Sequence, residues 1–244
     1  MCLEAQSPTT TPHHDLQEAL HSTRVQPRPL QLGVSTALSF HDVWTLDDSD
    51  LLSIVPRPVL ALIIVFPTPS NYEPRLDQES DLIAQNDDVI WFKQTINNAC
   101  GLYAIIHAVA NGRARDYIEP GSHLSCLLEK CASLDPAACA TVLGNDTELE
   151  SKYNAVAVMG DTEAPESAEE EVNFHYVCFV KSHTKSNLFI LDGDRNGPVD
   201  RGLLAGDDLL SDQGIRALKE FIRDHDNGGH FSLLALAPSS NLPV

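Results

Sequence analysis

The chain has little positive charge: 16 Lys and Arg stand against 35 Asp and Glu, a formal charge of -19. That balance repels nucleic acid and anionic lipid and favours a basic partner, so no binding to nucleic acid or to a membrane surface is expected. Long apolar runs are missing as well. The longest, PVLALIIVFP at 58–67, is bracketed by prolines and reaches about half the length needed to cross a bilayer; it predicts a fully buried strand. The six cysteines include no CxxC pair, and Cys126, Cys131 and Cys139 have no matching histidine pair, which fits neither a disulfide framework nor structural zinc. The N-terminus, MCLEAQSPTTTPHH, lacks a basic stretch followed by an apolar core. No secretory signal is therefore expected, and a reducing cytoplasmic setting, the nucleus included, follows.

What is present suffices for one substantial core, since 244 residues with 43% hydrophobic content is ordinary for a globular protein. Residues 1–30, rich in Pro, Thr, Gln and His, predict an irregular lead-in, with the folded domain over 31–244. SFHDVWTLDDSDLLSIV (39–55) reads as helix or turn material, followed by the strand at 58–67 and a polar loop to Trp91. Within 101–112, Leu102, Ile105, Ile106 and Val109 recur at helical spacing and Asn111-Gly112 supplies a stop. Residues 121–157 carry further helical material broken at Pro136, and the acidic stretch around 157–171 predicts a solvated loop. VNFHYVCFV (172–180) and NLFIL (187–191) form a hairpin pattern. SDQGIRALKEFIRDH places Ile215, Leu218, Phe221 and Ile222 on one helix face, and FSLLALAP (231–238) closes the chain as a buried strand. Helices and strands mixed without a repeating βα unit give an α+β fold.

Chemistry concentrates in QTINNACGLYAIIHAVANG, residues 94–112, where Cys100 stands at the junction of a polar stretch and an apolar helix. The positive end of a helix dipole favours a thiolate, as does a nearby imidazolium. The imidazole must in turn be oriented by a carboxylate or amide. His175 lies inside a predicted strand, where an unpartnered imidazole is costly, and Asp192 ends the adjacent strand. Gln94, six residues before Cys100, has an amide that could join a backbone N–H in stabilising an oxyanion. Taken singly, each has an ordinary structural reading: Cys100 as a small buried hydrophobe, His175 as a satisfied core histidine, Asp192 as a turn former before glycine, Gln94 as a capping residue. His107, two turns along the Cys100 helix, reads as packing or capping, and His183 as a solvated turn residue.

QTINNACG, LYAIIHAVANG, GDTEAP, VNFHYVCFV, LFILDGDRNGPVDRG and FSLLALAP stand in this order, and together they resemble the motifs of the ubiquitin C-terminal hydrolase family of cysteine proteases. The resemblance runs from about residue 31 to the C-terminus. It implies a papain-like antiparallel sheet flanked by helices, with a knotted backbone. It also implies Cys100 as nucleophile, His175 as general base and acid, Asp192 as the residue orienting the imidazole, and Gln94 as oxyanion donor. No cofactor is implied. The substrate would be ubiquitin joined through its C-terminal glycine, with the 157–171 stretch crossing the site and favouring small or unfolded adducts. A hydrolase of another ubiquitin-like modifier and a weakly active ubiquitin-binding relative share the same motifs. Asn97 stands where the family usually has glycine, so a positive φ is expected there. The end of the chain soon after FSLLALAP predicts a free-standing monomer.

Overall fold

A computed structural model describes residues 32–68, 72, 88–157, 174–225 and 231–239. Its centre is a six-stranded sheet, ordered β1-β6-β2-β3-β4-β5, in which every neighbouring pair is antiparallel. The strands are β1 (Leu38–Asp42), β2 (Ala61–Pro67), β3 (Phe174–Lys181), β4 (Asn187–Leu191), β5 (Val199–Leu203) and β6 (Ser232–Pro238). β2 is central, with partners on both sides, and six of its seven residues are buried. A strand covered on both faces has no use for polar alternation, which is why ALIIVF is continuously apolar.

Alternation along β2 divides the core. Ala61, Ile63 and Val65 join one apolar cluster with residues of α2 (Cys100–Ala110), α3 (His123–Cys131) and α4 (Pro136–Gly144). Leu62, Ile64 and Phe66 join the other, with Leu218 and Phe221 of α6 (Asp212–His225). Helices thus cover both faces of the sheet, as expected of an α+β chain. The four-residue α1 (Ser49–Leu52) precedes β2, α5 (Thr147–Ala157) follows α4, and a 3-10 helix (Gly112–Tyr117) follows α2.

Several expectations are met closely: β4 spans 187–191, β6 spans 232–238, and α2 begins at Cys100. Others need correction. The first residues of the segment read as helix or turn material form β1, because Phe40 and its neighbours pair with β6; only Ser49–Leu52 is helical, capped by the Asp48 carboxylate. β5 had no counterpart in the sequence pattern. Pro136 opens α4 rather than merely interrupting a helix: it occupies the first turn, where no N–H is needed, and Asp135 caps it by accepting from Ala138 N. The N-terminal lead-in and the acidic stretch at 158–171 lie outside the described residues.

Candidate active site

α2 starts without help from a capping side chain, since Ala99 is its N-cap. The orphan N–H groups of the first turn are therefore left to act on Cys100 and its surroundings. Two anchors hold the approach to this helix. Phe92 N donates to Nε2 of the fully buried His107 at 3.0 Å, and Thr95 N donates to the Tyr103 hydroxyl at 3.2 Å. Asn111 fixes the other end of the same loop, exchanging hydrogen bonds with both Ile90 N and Ile90 O. The left-handed turn falls on Asn98, at φ 54°, rather than on Asn97. Asparagine tolerates that conformation better than most residues, so the loop keeps its shape without glycine there.

The Cys100 thiol is partly exposed, approaches Phe174 O at 3.9 Å and lies near enough to the neighbouring His175 to favour its charged form. His175 Nε2 meets Asp192 Oδ1 at 2.8 Å. His175 and Asp192 are both buried, the carboxylate completely. Asp192 is saturated with partners. Oδ1 also accepts from Asp194 N at 3.0 Å, Oδ2 accepts from the Tyr72 hydroxyl at 2.5 Å, and Arg195 Nε lies 3.4 Å from Oδ2. Trp91 Nε1 donates to the Asp192 carbonyl at 2.9 Å.

These contacts set the charges. Burial works against ionisation of Asp192, but His175, Tyr72 and Arg195 hold its carboxyl well below the usual carboxylate range. Burial also works against a charged His175; Asp192 outweighs it, and with Cys100 and Asp194 the imidazole is raised to about 10. The ring is thus poised as an imidazolium beside the thiol, the state that favours a nucleophilic thiolate. Tyr72 is pushed far above its ordinary value by burial and by the Asp192 charge, so it remains a hydrogen-bond donor.

Three of the sequence-predicted residues, Cys100, His175 and Asp192, converge in one chain of contacts. Gln94 is seated on the Asp192 loop: its N–H donates to Gly193 O at 2.9 Å. A Cβ on Gly193 would come within 2.7 Å of Gln94 Cβ, so glycine is what permits this close approach. Among the described residues, Gln94 Oε1 is buried without a hydrogen-bond partner. His107 is a packed residue, as expected, and His183 is exposed but meets Gly112 O at 2.9 Å.

Sequence reasoning missed Tyr72, Trp91, Asp194 and Arg195. The run Asp192-Gly193-Asp194-Arg195 at the end of an apolar strand was a usable signal for the last two. Nothing in the spacing announced Tyr72, which is 120 residues from its partner. Ligand atoms of His175, Asp192 and Asp194 lie within 4.8 Å of one another, and the contacts just described join them as an ion-pair network.

A thiol at a helix start, beside a histidine that a buried carboxylate orients, defines a cysteine-type hydrolase. Comparison with known proteins agrees. The family model for ubiquitin carboxyl-terminal hydrolase, family 1, matches residues 30–223. The chain is 36% identical over 195 residues to a ubiquitin carboxyl-terminal hydrolase of Aplysia californica, covering 79% of this chain and 88% of that protein. It is 32% identical over 200 residues to ubiquitin carboxyl-terminal hydrolase 3 of Arabidopsis thaliana, covering 81% and 82%. Among solved structures, the fold matches the Trichinella spiralis UCH37 catalytic domain, crystallised bound to ubiquitin vinyl methyl ester, with a TM-score of 0.64 and 24% identity over 84% of this chain and 87% of that one. The chain belongs to the ubiquitin carboxyl-terminal hydrolase family 1, a family of cysteine peptidases. Among the described residues no helix is long and apolar enough to cross a membrane.

Proposed function

We propose that this chain hydrolyses bonds at the C-terminal glycine of ubiquitin, with Cys100 as nucleophile, His175 as general acid and base, Asp192 orienting the imidazole and Gln94 as oxyanion donor. The observation that carries the assignment is the 2.8 Å bond between His175 Nε2 and the buried Asp192 Oδ1, with the Cys100 thiol close to the same imidazole. The bond to Asp192 fixes the ring and leaves the Nδ1 edge for the thiol and the leaving group.

In the first half-reaction the Cys100 thiolate attacks the carbonyl carbon, and the charge on oxygen is met by the Gln94 amide and backbone N–H at the helix start. His175 gives its proton to the leaving group as the bond to it breaks, and a thioester remains on Cys100. Water, deprotonated by His175, then attacks the thioester; the C–S bond breaks with its electron pair going to sulfur, ubiquitin leaves with a free C-terminal carboxylate, and the proton held by His175 returns to the thiolate.

The catalytic domain is taken as residues 31–244, and the chain as a monomer. Small or unfolded adducts are the preferred substrates on this reading, because the acidic stretch at 157–171 corresponds to the segment that crosses the site in the family. A formal charge of -19 suits a basic modifier tail. A reducing, cytoplasmic setting agrees with Cys100, Cys126, Cys131, Cys139 and Cys178 all being free.

The test is reaction with ubiquitin carrying a C-terminal electrophile, read by intact mass beside Cys100→Ala and His175→Ala. One adduct, absent in Cys100→Ala and slow in His175→Ala, is the expected result. Absence of an adduct on the wild-type protein would refute the substrate assignment and turn attention to other modifiers or to binding without turnover.

A further inference from the structure

Four successive main-chain carbonyls, those of residues 192–195, accept hydrogen bonds from the short segment 91–94 that leads toward α2. Trp91 Nε1 donates to the Asp192 carbonyl at 2.9 Å, and the Gln94 N–H donates to the Gly193 carbonyl at 2.9 Å. Lys93 Nζ takes the other two, donating to the Asp194 carbonyl at 2.6 Å and to the Arg195 carbonyl at 2.9 Å. These partners lie 101 and 102 residues from Lys93 in sequence, so the clasp forms only in the folded chain.

Lys93 grips the half of the turn on which the Asp192 carboxylate depends. Oδ1 accepts from the Asp194 N–H at 3.0 Å, and Arg195 Nε lies 3.4 Å from Oδ2. Lys93 binds the carbonyls of these same two residues. Along its own chain Lys93 adjoins Gln94, which packs so closely on Gly193 that an added Cβ there would meet the Gln94 Cβ at 2.7 Å. One ammonium is therefore linked through the turn to the carboxylate that orients His175, and through its own peptide bond to the amide assigned to the oxyanion. Trp91 and the Gln94 N–H supply one neutral donor each. An ammonium supplies three donors from a single point, and its bonds to carbonyls are charge-assisted and stronger.

We propose that Lys93 is a positioning residue for the hydrolysis: by binding the Asp194 and Arg195 carbonyls together, it locks the Asp192 turn to the Gln94 segment and keeps imidazole and oxyanion donor in one frame. This rests on the assignment of His175, Asp192 and Gln94 made above. The role needs no contact between Lys93 and ubiquitin. A loosened turn lets the Asp192 carboxylate move out of its 2.8 Å bond with His175, weakening the interaction that keeps the imidazole charged. It also lets the Gln94 amide drift from the position the oxyanion takes. Both losses fall on the transition state rather than on binding of ubiquitin, so they lower kcat and leave KM in place.

The experiment measures kcat and KM on ubiquitin carrying a C-terminal fluorogenic amide, from about pH 6 to about pH 10.5. Wild type is compared with Lys93→Met, which keeps the apolar stem and removes every donor, and with Lys93→Arg, which keeps the charge and a fork of donors. Lys93 is half-buried and lies outside the helices and strands, so both variants are expected to fold, with the urea midpoint as the check. In Lys93→Met, kcat is expected to fall roughly tenfold with KM within about twofold. The basic limb of kcat/KM, where His175 loses its proton, is expected to move to lower pH by about 0.5 unit. Lys93→Arg is expected to recover most of both. An unaltered kcat in Lys93→Met would overturn the proposal, as would a rise in KM alone, which would mark Lys93 as a ubiquitin contact. A fall in kcat with an unmoved basic limb, or equal impairment of Lys93→Arg, would overturn it too. Failure of the catalytic assignment looks different: the wild-type chain itself would turn over no substrate and would not be labelled at Cys100.

Discussion

His107 makes the stability of the fold depend on pH between about 6.5 and 4. The imidazole is fully buried against Phe92, whose ring stacks on it, and Nε2 accepts the Phe92 N–H. Burial depresses its pKa from 6.5 to about 4, against the opposing pull of the Asp192 charge. Below about 6.5 the unfolded chain takes up a proton at this position while the folded chain does not. The unfolded state then holds more protons, so stability falls as pH falls through the window, and above it the contribution is fully present. Each unit of displacement is worth about 1.4 kcal/mol, so acidification from pH 7.5 to 4.5 removes about 2.5 kcal/mol through this group. The partner variant is His107→Gln, which keeps an acceptor of similar reach but does not titrate. Urea denaturation of both proteins across pH 4.5–7.5 isolates the term, because His41, also depressed by burial, and His175 are common to both and cancel. At pH 7.5 the variant is expected to be less stable by about 1–2 kcal/mol from imperfect packing. By pH 4.5 that gap closes or reverses. A gap that stays constant with pH would refute a neutral, buried His107.

Two substitutions test the support of the active site. Gly193→Ala forces a methyl to within 2.7 Å of Gln94 Cβ; a fall in kcat of tenfold or more is expected from displacement of Gln94, with roughly 1–3 kcal/mol of stability lost, whereas wild-type kinetics would show that Gln94 has room to move without consequence. Tyr72→Phe removes the hydroxyl that Asp192 Oδ2 accepts and keeps the ring that packs on Phe66 and His175. It is expected to cost about 1.5–3 kcal/mol in denaturant unfolding; unchanged stability would mean that Asp192 is held without Tyr72.

Much of this protein was legible in the chain itself. Continuous apolar residues in ALIIVF required cover on both faces, and a helical repeat starting at Cys100 placed a thiol at a helix N-terminus; these are local patterns, enforced by backbone geometry over a few residues. The hairpin of β3 and β4, short in sequence, likewise brought His175 and Asp192 within reach of one another. Tertiary structure decided what depends on distant partners. β1 is a strand because β6 lies beside it, almost 200 residues later, and its own sequence reads as turn material. The left-handed turn fell on Asn98 instead of Asn97, in a segment anchored at Phe92 and Thr95 by side chains of the helix that follows it. Tyr72 and Trp91 reach Asp192 only once the sheet has assembled, whereas Asp194 and Arg195 contact it locally, two and three residues along the chain. Propensity and periodicity act along the chain, so sequence could determine the elements and the reactive residues; the polar contacts that tune those residues are made across it, and only the folded sheet could place them.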